Sequence, residues 1–275
     1  RLLTGLERPD AGQILFQGED VGTATARRLR ALRRKFQLVL QDPYGSLPPQ
    51  SAIGAILEEP LKIHRIGNRA ERRERARAVM AEVGLPASLY ESLPTGLSAG
   101  QRQRLNVGRA MMLEPSLLIM DETLSALDQT EQGKLLDLFE RLQAQHGFTY
   151  IFISHDLTMV RQVCSRIAVM YLGETVEVAP NERLFFDPGH PYTRALLSAA
   201  PTLEPRRYRP EDCLMEGEPP SPIDLPPGCA FATRCPQAFD RCRVENPAML
   251  GRGGDAFAAC FLNQQAAPGK EMTHA

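Results

Sequence analysis

Two adjacent acids, Asp121 and Glu122, close an apolar run, LLIM, where a buried strand would leave its sheet. An aspartate placed there can hold a magnesium ion, mostly through water, because Mg2+ prefers oxygen ligands and dehydrates reluctantly. A glutamate one residue on can orient or deprotonate an attacking water. Phosphoryl transfer asks chiefly for positioning and charge neutralisation, so such a pair suffices for its corner of a site. Alone, an apolar strand ending in Asp-Glu is also an ordinary acidic turn. Its significance comes from other residues in a fixed order: Gln41 upstream, Ser98-Ala99-Gly100-Gln101 just before the strand, Asp128 just after it, and His155 at the end of the next apolar run.

These residues need elements to hold them. FQLVLQ (residues 36–41), SLLIMDE (116–122) and FTYIFIS (148–154) are near-continuous apolar runs, consistent with buried strands. Helical patterns separate them, including a heavily charged one over residues 69–85 and an amphipathic one over 129–147 closed by glycine. Ser98 is a plausible N-cap for the helix whose apolar positions run through Leu105 and Val107 to Met112. Strands alternating with helices predict an α/β fold with a largely parallel sheet. RIAVMYLGETVEVA predicts a hairpin centred on Gly173.

The bulk numbers exclude several classes. With a formal net charge of -1 over 275 residues, no overall charge favours nucleic acid or an anionic surface. No apolar run reaches the ~18–20 residues that a membrane span needs, and the N-terminus has no charged head before an apolar core. The chain begins with Arg, and RLLTGLERPDAG reads as the last turns of a helix, so a lost front is expected.

Taken in order, LSAGQRQR, LLIMDET, SALD and ISHD resemble the signature, Walker B, D-loop and switch motifs of ABC transporter ATP-binding subunits. The resemblance covers nearly the whole chain. It implies a P-loop NTPase-type ABC ATPase domain with a helical signature subdomain, using ATP and Mg2+. Two such domains sandwich two ATPs, so Ser98, Ala99, Gly100, Gln101 and Asp128 would meet ATP held by a partner subunit. Asp121 and Gln41 would hold Mg2+. Glu122, His155 and Gln41 would be catalytic, with His155 on the γ-phosphate. The loop after Gln41 would signal to a membrane subunit. Ala99 stands where the family usually has glycine, and Thr123 where it usually has proline. No G-x-x-x-x-G-K-[ST] occurs, since Gly-Lys is found only at 133–134 and 269–270. The phosphate loop is therefore expected upstream of Arg1, and this chain is expected to hydrolyse ATP poorly alone. A catalytically silent regulatory subunit and a non-transport ABC ATPase are the alternatives.

HPYTRALLSAAP, GEPPSP and GCAFATRCPQAFDRC are similar to the C-terminal extension of oligopeptide, dipeptide and nickel importers. That implies a second ATPase subunit, two membrane permeases, a solute-binding protein acting indirectly and no nucleic acid, at the cytoplasmic face of the inner membrane. The expected division is 1–185 ATPase domain, 186–228 extension and proline-rich linker, 229–262 cysteine module and 263–275 disordered tail. Cys229, Cys235, Cys242 and Cys260 could hold an iron–sulfur cluster, with Zn2+ or free thiols as alternatives. Their gaps are wider than usual zinc pairs. Cys164 and Cys213 fall outside the set.

Overall fold

The computed structural model describes the chain except residues 41, 43–44, 200–214, 216, 222 and 264–275. Gln41, Cys213, most of the proline-rich linker and nearly all of the tail therefore lie outside the described residues. The chain packs as two units, Arg1–His155 and Asp156–Ala275.

The first unit opens with a 3-10 turn, Leu2–Thr4, and a small antiparallel hairpin, β1 (Leu15–Phe16) and β2 (Glu19–Asp20). Helix α1 (Ala26–Leu32) follows, then β3 (Phe36–Val39), α2 (Ile53–Ile63), α3 (Arg69–Glu82), α4 (Ala99–Met111), β4 (Leu117–Asp121), α5 (Gln129–His146) and β5 (Thr149–Ile153). The three apolar runs become a parallel sheet of order β3-β4-β5, with Phe36 opposite Leu117 and Asp121 opposite Ile153. Phe36, Val39, Leu118, Ile119 and Met120 are buried in it. Helix α5 lays Leu135, Leu136, Leu138, Phe139 and Leu142 into the core. Each such side chain contributes about 1.5–3 kcal/mol on burial.

The expectation of a buried strand at residues 148–154 is corrected on one point. Along β5, Ile151 and Ile153 remain 37% and 44% exposed. The strand pairs only with β4 among the described residues and exposes alternate side chains along one face. An apolar run cannot distinguish a strand covered on both faces from one exposed on one face.

The second unit holds α6 (Leu157–Val163), β6 (Arg166–Tyr171), β7 (Glu174–Pro180), α7 (Asn181–Phe186), α8 (Pro191–Ala199), α9 (Asp240–Val244), β8 (Leu250–Gly251) and β9 (Phe257–Ala258). The predicted hairpin forms: β6 and β7 turn through Leu172 and Gly173, both with positive φ (48° and 84°). Two such residues match the strand twist in a tight hairpin. The sheet order is β6-β7-β9-β8, so the strands near Cys260 share a sheet with residues 166–180. The packing thus divides the chain into compact units after residue 155. The reason is backbone pairing between segments about 80 residues apart (Val178 opposite Phe257), which composition does not reveal. Buried Glu177 secures this unit by accepting from the backbone N–H groups of Gly189 and His190, ahead of α8.

Candidate functional site

Strand β4 delivers Asp121 to the carboxyl end of the sheet, and the chain then turns sharply. Glu122 sits at φ 47°, the left-handed region that side chains rarely adopt. Its N–H donates to the carbonyl of Ile153 at 3.0 Å, which extends the β4–β5 pairing by one step. Its carbonyl accepts from the Ser125 hydroxyl at 2.9 Å and the Ser125 N–H at 3.3 Å. The surrounding turn thereby holds a conformation that would otherwise cost about 1–3 kcal/mol. Strain held in this way is found where a side chain must point in one direction.

That direction is toward His155, which follows β5. Nδ1 of His155 lies 3.3 Å from Oε1 of Glu122. The His155 side chain is 73% exposed, while that of Glu122 is 32% exposed. The imidazole therefore stands over the carboxylate with its other face open to a ligand. Thr123 is buried, and its hydroxyl has no hydrogen-bond partner among the described residues. Asp128 caps α5 by accepting from the Glu131 N–H at 2.9 Å.

Ser98, Ala99, Gly100 and Gln101, expected to form the signature, sit at the start of α4. Ser98 and Gln101 form a capping box: Ser98 Oγ accepts from the Gln101 N–H at 3.2 Å, and Gln101 Oε1 accepts from the Ser98 N–H at 3.0 Å. A serine capping in this way keeps its own O–H free to donate to an anion. Gly100 is buried against the first turn of α5, and a Cβ built there would lie 2.2 Å from Glu131 Oε2. A side chain at this position would displace the end of the Glu131 side chain. Ala99 is half-buried.

Sequence reasoning missed a clamp on the loop after Gln41. Ser46 Oγ donates to Asn106 Oδ1 at 3.1 Å, and Arg109 Nη1 donates to the Ser46 carbonyl at 3.1 Å. Arg109 also pairs with Glu59 of α2 at 2.6 Å. Helix α4, which begins at the signature, thereby holds that loop. Ser46, Asn106 and Arg109 border a groove of about 330 Å³, also lined by Gln37, Ile63 and His64. The only sequence signal was their spacing three apart on a helix face.

In the second unit, Cys229, Cys235, Cys242 and Cys260 line one small cavity with His190 and Phe231. The Cys229 N–H donates to the Cys242 carbonyl at 2.9 Å, which ties two of them together. All described cysteines are free thiols. Burial pushes the Cys235 thiol up to about 11 and raises those of Cys229 and Cys260. Among the described residues, no three His, Cys, Asp or Glu side chains already stand arranged to hold a metal ion. Cys164 is half-buried and its carbonyl accepts from Asn181, which fits a packing role.

Residues 1–125 match the family described as ABC transporter, and residues 176–242 match the oligopeptide/dipeptide transporter C-terminal region. The dipeptide transport ATP-binding protein DppF of Escherichia coli is 43% identical over 265 residues, covering 96% of this chain and 79% of that protein. The di/tripeptide transport ATP-binding protein DppF of Pseudomonas aeruginosa is 46% identical over 247 residues, covering 90% and 76%. Among solved structures, the ATP-binding cassette MJ0796, in a dimeric post-hydrolysis state bound to ADP and Pi, aligns with TM-score 0.59 and 26% identity. That alignment covers 66% of this chain and 78% of that one. With these family matches and close relatives over most of its length, the chain belongs to the ABC transporter ATP-binding proteins of the peptide-import family.

Proposed function

We propose that this chain drives peptide import by hydrolysing ATP at an interface with a second ATPase subunit, docked on the cytoplasmic side of the membrane. The observation that carries the reading is the His155–Glu122 contact at 3.3 Å, at the strand ends beside Asp121. Asp121 would hold Mg2+, whose charge offsets that of the phosphates. Glu122, fixed by its turn, accepts the proton of the attacking water. His155 donates toward the γ-phosphate as negative charge develops there. Ser98, with its hydroxyl proton free, and the buried Gly100 face ATP held by the partner subunit, where a helix N-terminus favours anions. Asp128 stands at the same junction through its cap on α5.

No G-x-x-x-x-G-K-[ST] is present in these 275 residues, so the phosphate grip is not among the groups this chain supplies. Hydrolysis by this chain alone is therefore slow. The groove beside Ser46 receives a cytoplasmic segment of a permease subunit, and the Asn106–Ser46–Arg109 clamp passes its position to the signature helix. Co-purification from solubilised membranes tests this reading. Recovery of permease subunits with the chain supports it, and recovery of ribosomes or DNA instead overturns it.

A second reading concerns the four thiols, which converge on one cavity although their side chains are not set for coordination. Their donor chemistry suits an iron–sulfur cluster, with Zn2+ as the other occupant. Anaerobic purification followed by iron, sulfide and zinc assay decides it. A chain free of all three removes the reading.

A further inference from the structure

The whole chain is almost neutral, yet residues 26–35 carry six basic side chains and no acid. Arg33 donates to the carbonyls of Thr4 and Gly5, and the other five sort into two stripes along α1 and the turn after it. Arg28 and Lys35, seven residues apart, are engaged with the β1–β2 hairpin: Arg28 pairs with Glu19, and Lys35 Nζ donates to Gln17 Oε1 at 2.7 Å. Arg27, Arg30 and Arg34 recur at i, i+3 and i+7, which places them on another common face. All three are exposed. Arg30 reaches the carbonyl of Ile63. The side chains of Arg27 and Arg34 have no ion pair or hydrogen bond among the described residues.

Helix α3 is equally rich in arginine, but its side chains are held by the protein. Arg73 and Arg75 pair with Glu91 and Glu114 at 3.0 and 2.8 Å. Arg72 donates to the Ile66 carbonyl, and Arg73 and Arg77 lie over the Tyr90 ring. Of the three arginines in the α1 stripe, Arg30 alone has such a partner among the described residues, the Ile63 carbonyl.

Its position is also specific. Ile63, whose carbonyl Arg30 contacts, lines the groove beside Ser46, as do Arg33 and His64. His64 is held below its usual pKa by burial and then by the nearby charges of Arg34 and Arg30, so the stripe and the groove rim are neighbours. The rim adds exposed apolar surface at Leu40 and Ile63, 47% and 48% exposed.

We propose that Arg27, Arg30 and Arg34 form a contact surface for anionic lipid headgroups on the rim of the permease-docking groove. The assignment rests on the reading that this groove faces the membrane subunits. Attraction to a bilayer acts only within a Debye length, about 8–10 Å, so the contact requires the rim to lie that near the surface. Guanidinium groups match phosphate geometry with paired donors. Each arginine near such a surface strengthens binding about fivefold.

The test is flotation of the full chain with vesicles of phosphatidylcholine containing one-third phosphatidylglycerol, beside vesicles of phosphatidylcholine alone. Binding is expected only to the anionic vesicles and is lost in half-molar salt. The double variant Arg27→Gln/Arg34→Gln is expected to bind about 25-fold more weakly, as two fivefold losses. The control Arg73→Gln/Arg75→Gln is expected to bind like the parent. Absence of vesicle binding, equal loss in both double variants, or tighter binding to a DNA oligomer in the same buffer overturns the proposal. Permease co-purification is scored separately. Vesicle binding without permease recovery sinks the groove reading and, with it, the placing of this contact on the groove rim. Permease recovery without vesicle binding keeps the groove reading and overturns the lipid contact.

Discussion

Nδ1 of His155 lies 3.3 Å from Oε1 of Glu122, joining side chains that leave adjacent parallel strands at the same end. The contact gives both groups a defined orientation before nucleotide arrives, although the imidazole is largely exposed. Removal of His155 should therefore impair chemistry more than binding. For His155→Ala, ATP hydrolysis by the assembled transporter is expected to fall about 10²–10³-fold, the usual cost of losing one transition-state donor. Nucleotide affinity measured by filter binding should change little. A parallel loss of affinity would mean that His155 acts mainly in binding.

The signature helix separates stability from function. Ser98→Ala deletes one half of the capping box, which costs about 1 kcal/mol of helix stability and lowers the thermal midpoint. In Gly100→Ala, the new methyl meets the end of the Glu131 side chain, which can move aside. Its midpoint should stay close to the parent value while turnover of ATP at the partner's site drops sharply. Differential scanning calorimetry and ATPase assays on the two variants should give opposite rankings.

His190 makes the second unit sensitive to acid. Burial, followed by the charge of Arg194, pushes its pKa from 6.5 down to about 4. The unfolded chain takes up a proton near 6.5 and the folded one does not, so stability is lost as pH falls through that window. Near pH 4 the loss is about 3 kcal/mol. Urea unfolding followed between pH 7 and 4 should show this slope, and His190→Gln should flatten it.

The helical part of the first unit has its own buried polar clip. Tyr90 donates to Glu58, which also pairs with Lys62 at 2.8 Å. Burial raises the Glu58 pKa, but the bonds from Lys62 and Tyr90 outweigh it and leave the carboxyl below 4.5. That contribution is present above the unfolded value and disappears as pH falls through the folded one. Tyr90→Phe leaves the carboxylate short of a partner and should cost about 1–3 kcal/mol at neutral pH. Denaturant titration of the variant measures it, and an unchanged midpoint would show that Lys62 suffices.

Much of this architecture was legible in the sequence because its signals are local. The apolar runs ending in Val39, Asp121 and Ile153 have the composition of parallel strands, and Ser98 followed three residues on by Gln101 is a cap signature. Other features were not legible. The left-handed backbone of Glu122 carries no glycine to announce it, since Ser125 and Ile153 enforce it through hydrogen bonds. The pairing of β7 with β9 joins distant segments whose strands are short, as β9 has two residues. The exposure of Ile151 and Ile153 depends on what packs over that face of β5, which apolarity alone does not encode. Convergence of the four cysteines on one cavity follows from the fold around them, because their spacing matches no standard metal motif.

The most direct test of the account is ATP hydrolysis by the assembled, membrane-embedded transporter carrying Glu122→Gln. This change keeps the shape of the side chain and removes the base. The account predicts that ATP still binds while hydrolysis falls about 10²–10⁴-fold, the range for losing a positioned general base. Hydrolysis at the parent rate would contradict it, and would mean that the turn holding Glu122 beside His155 serves the fold rather than the chemistry.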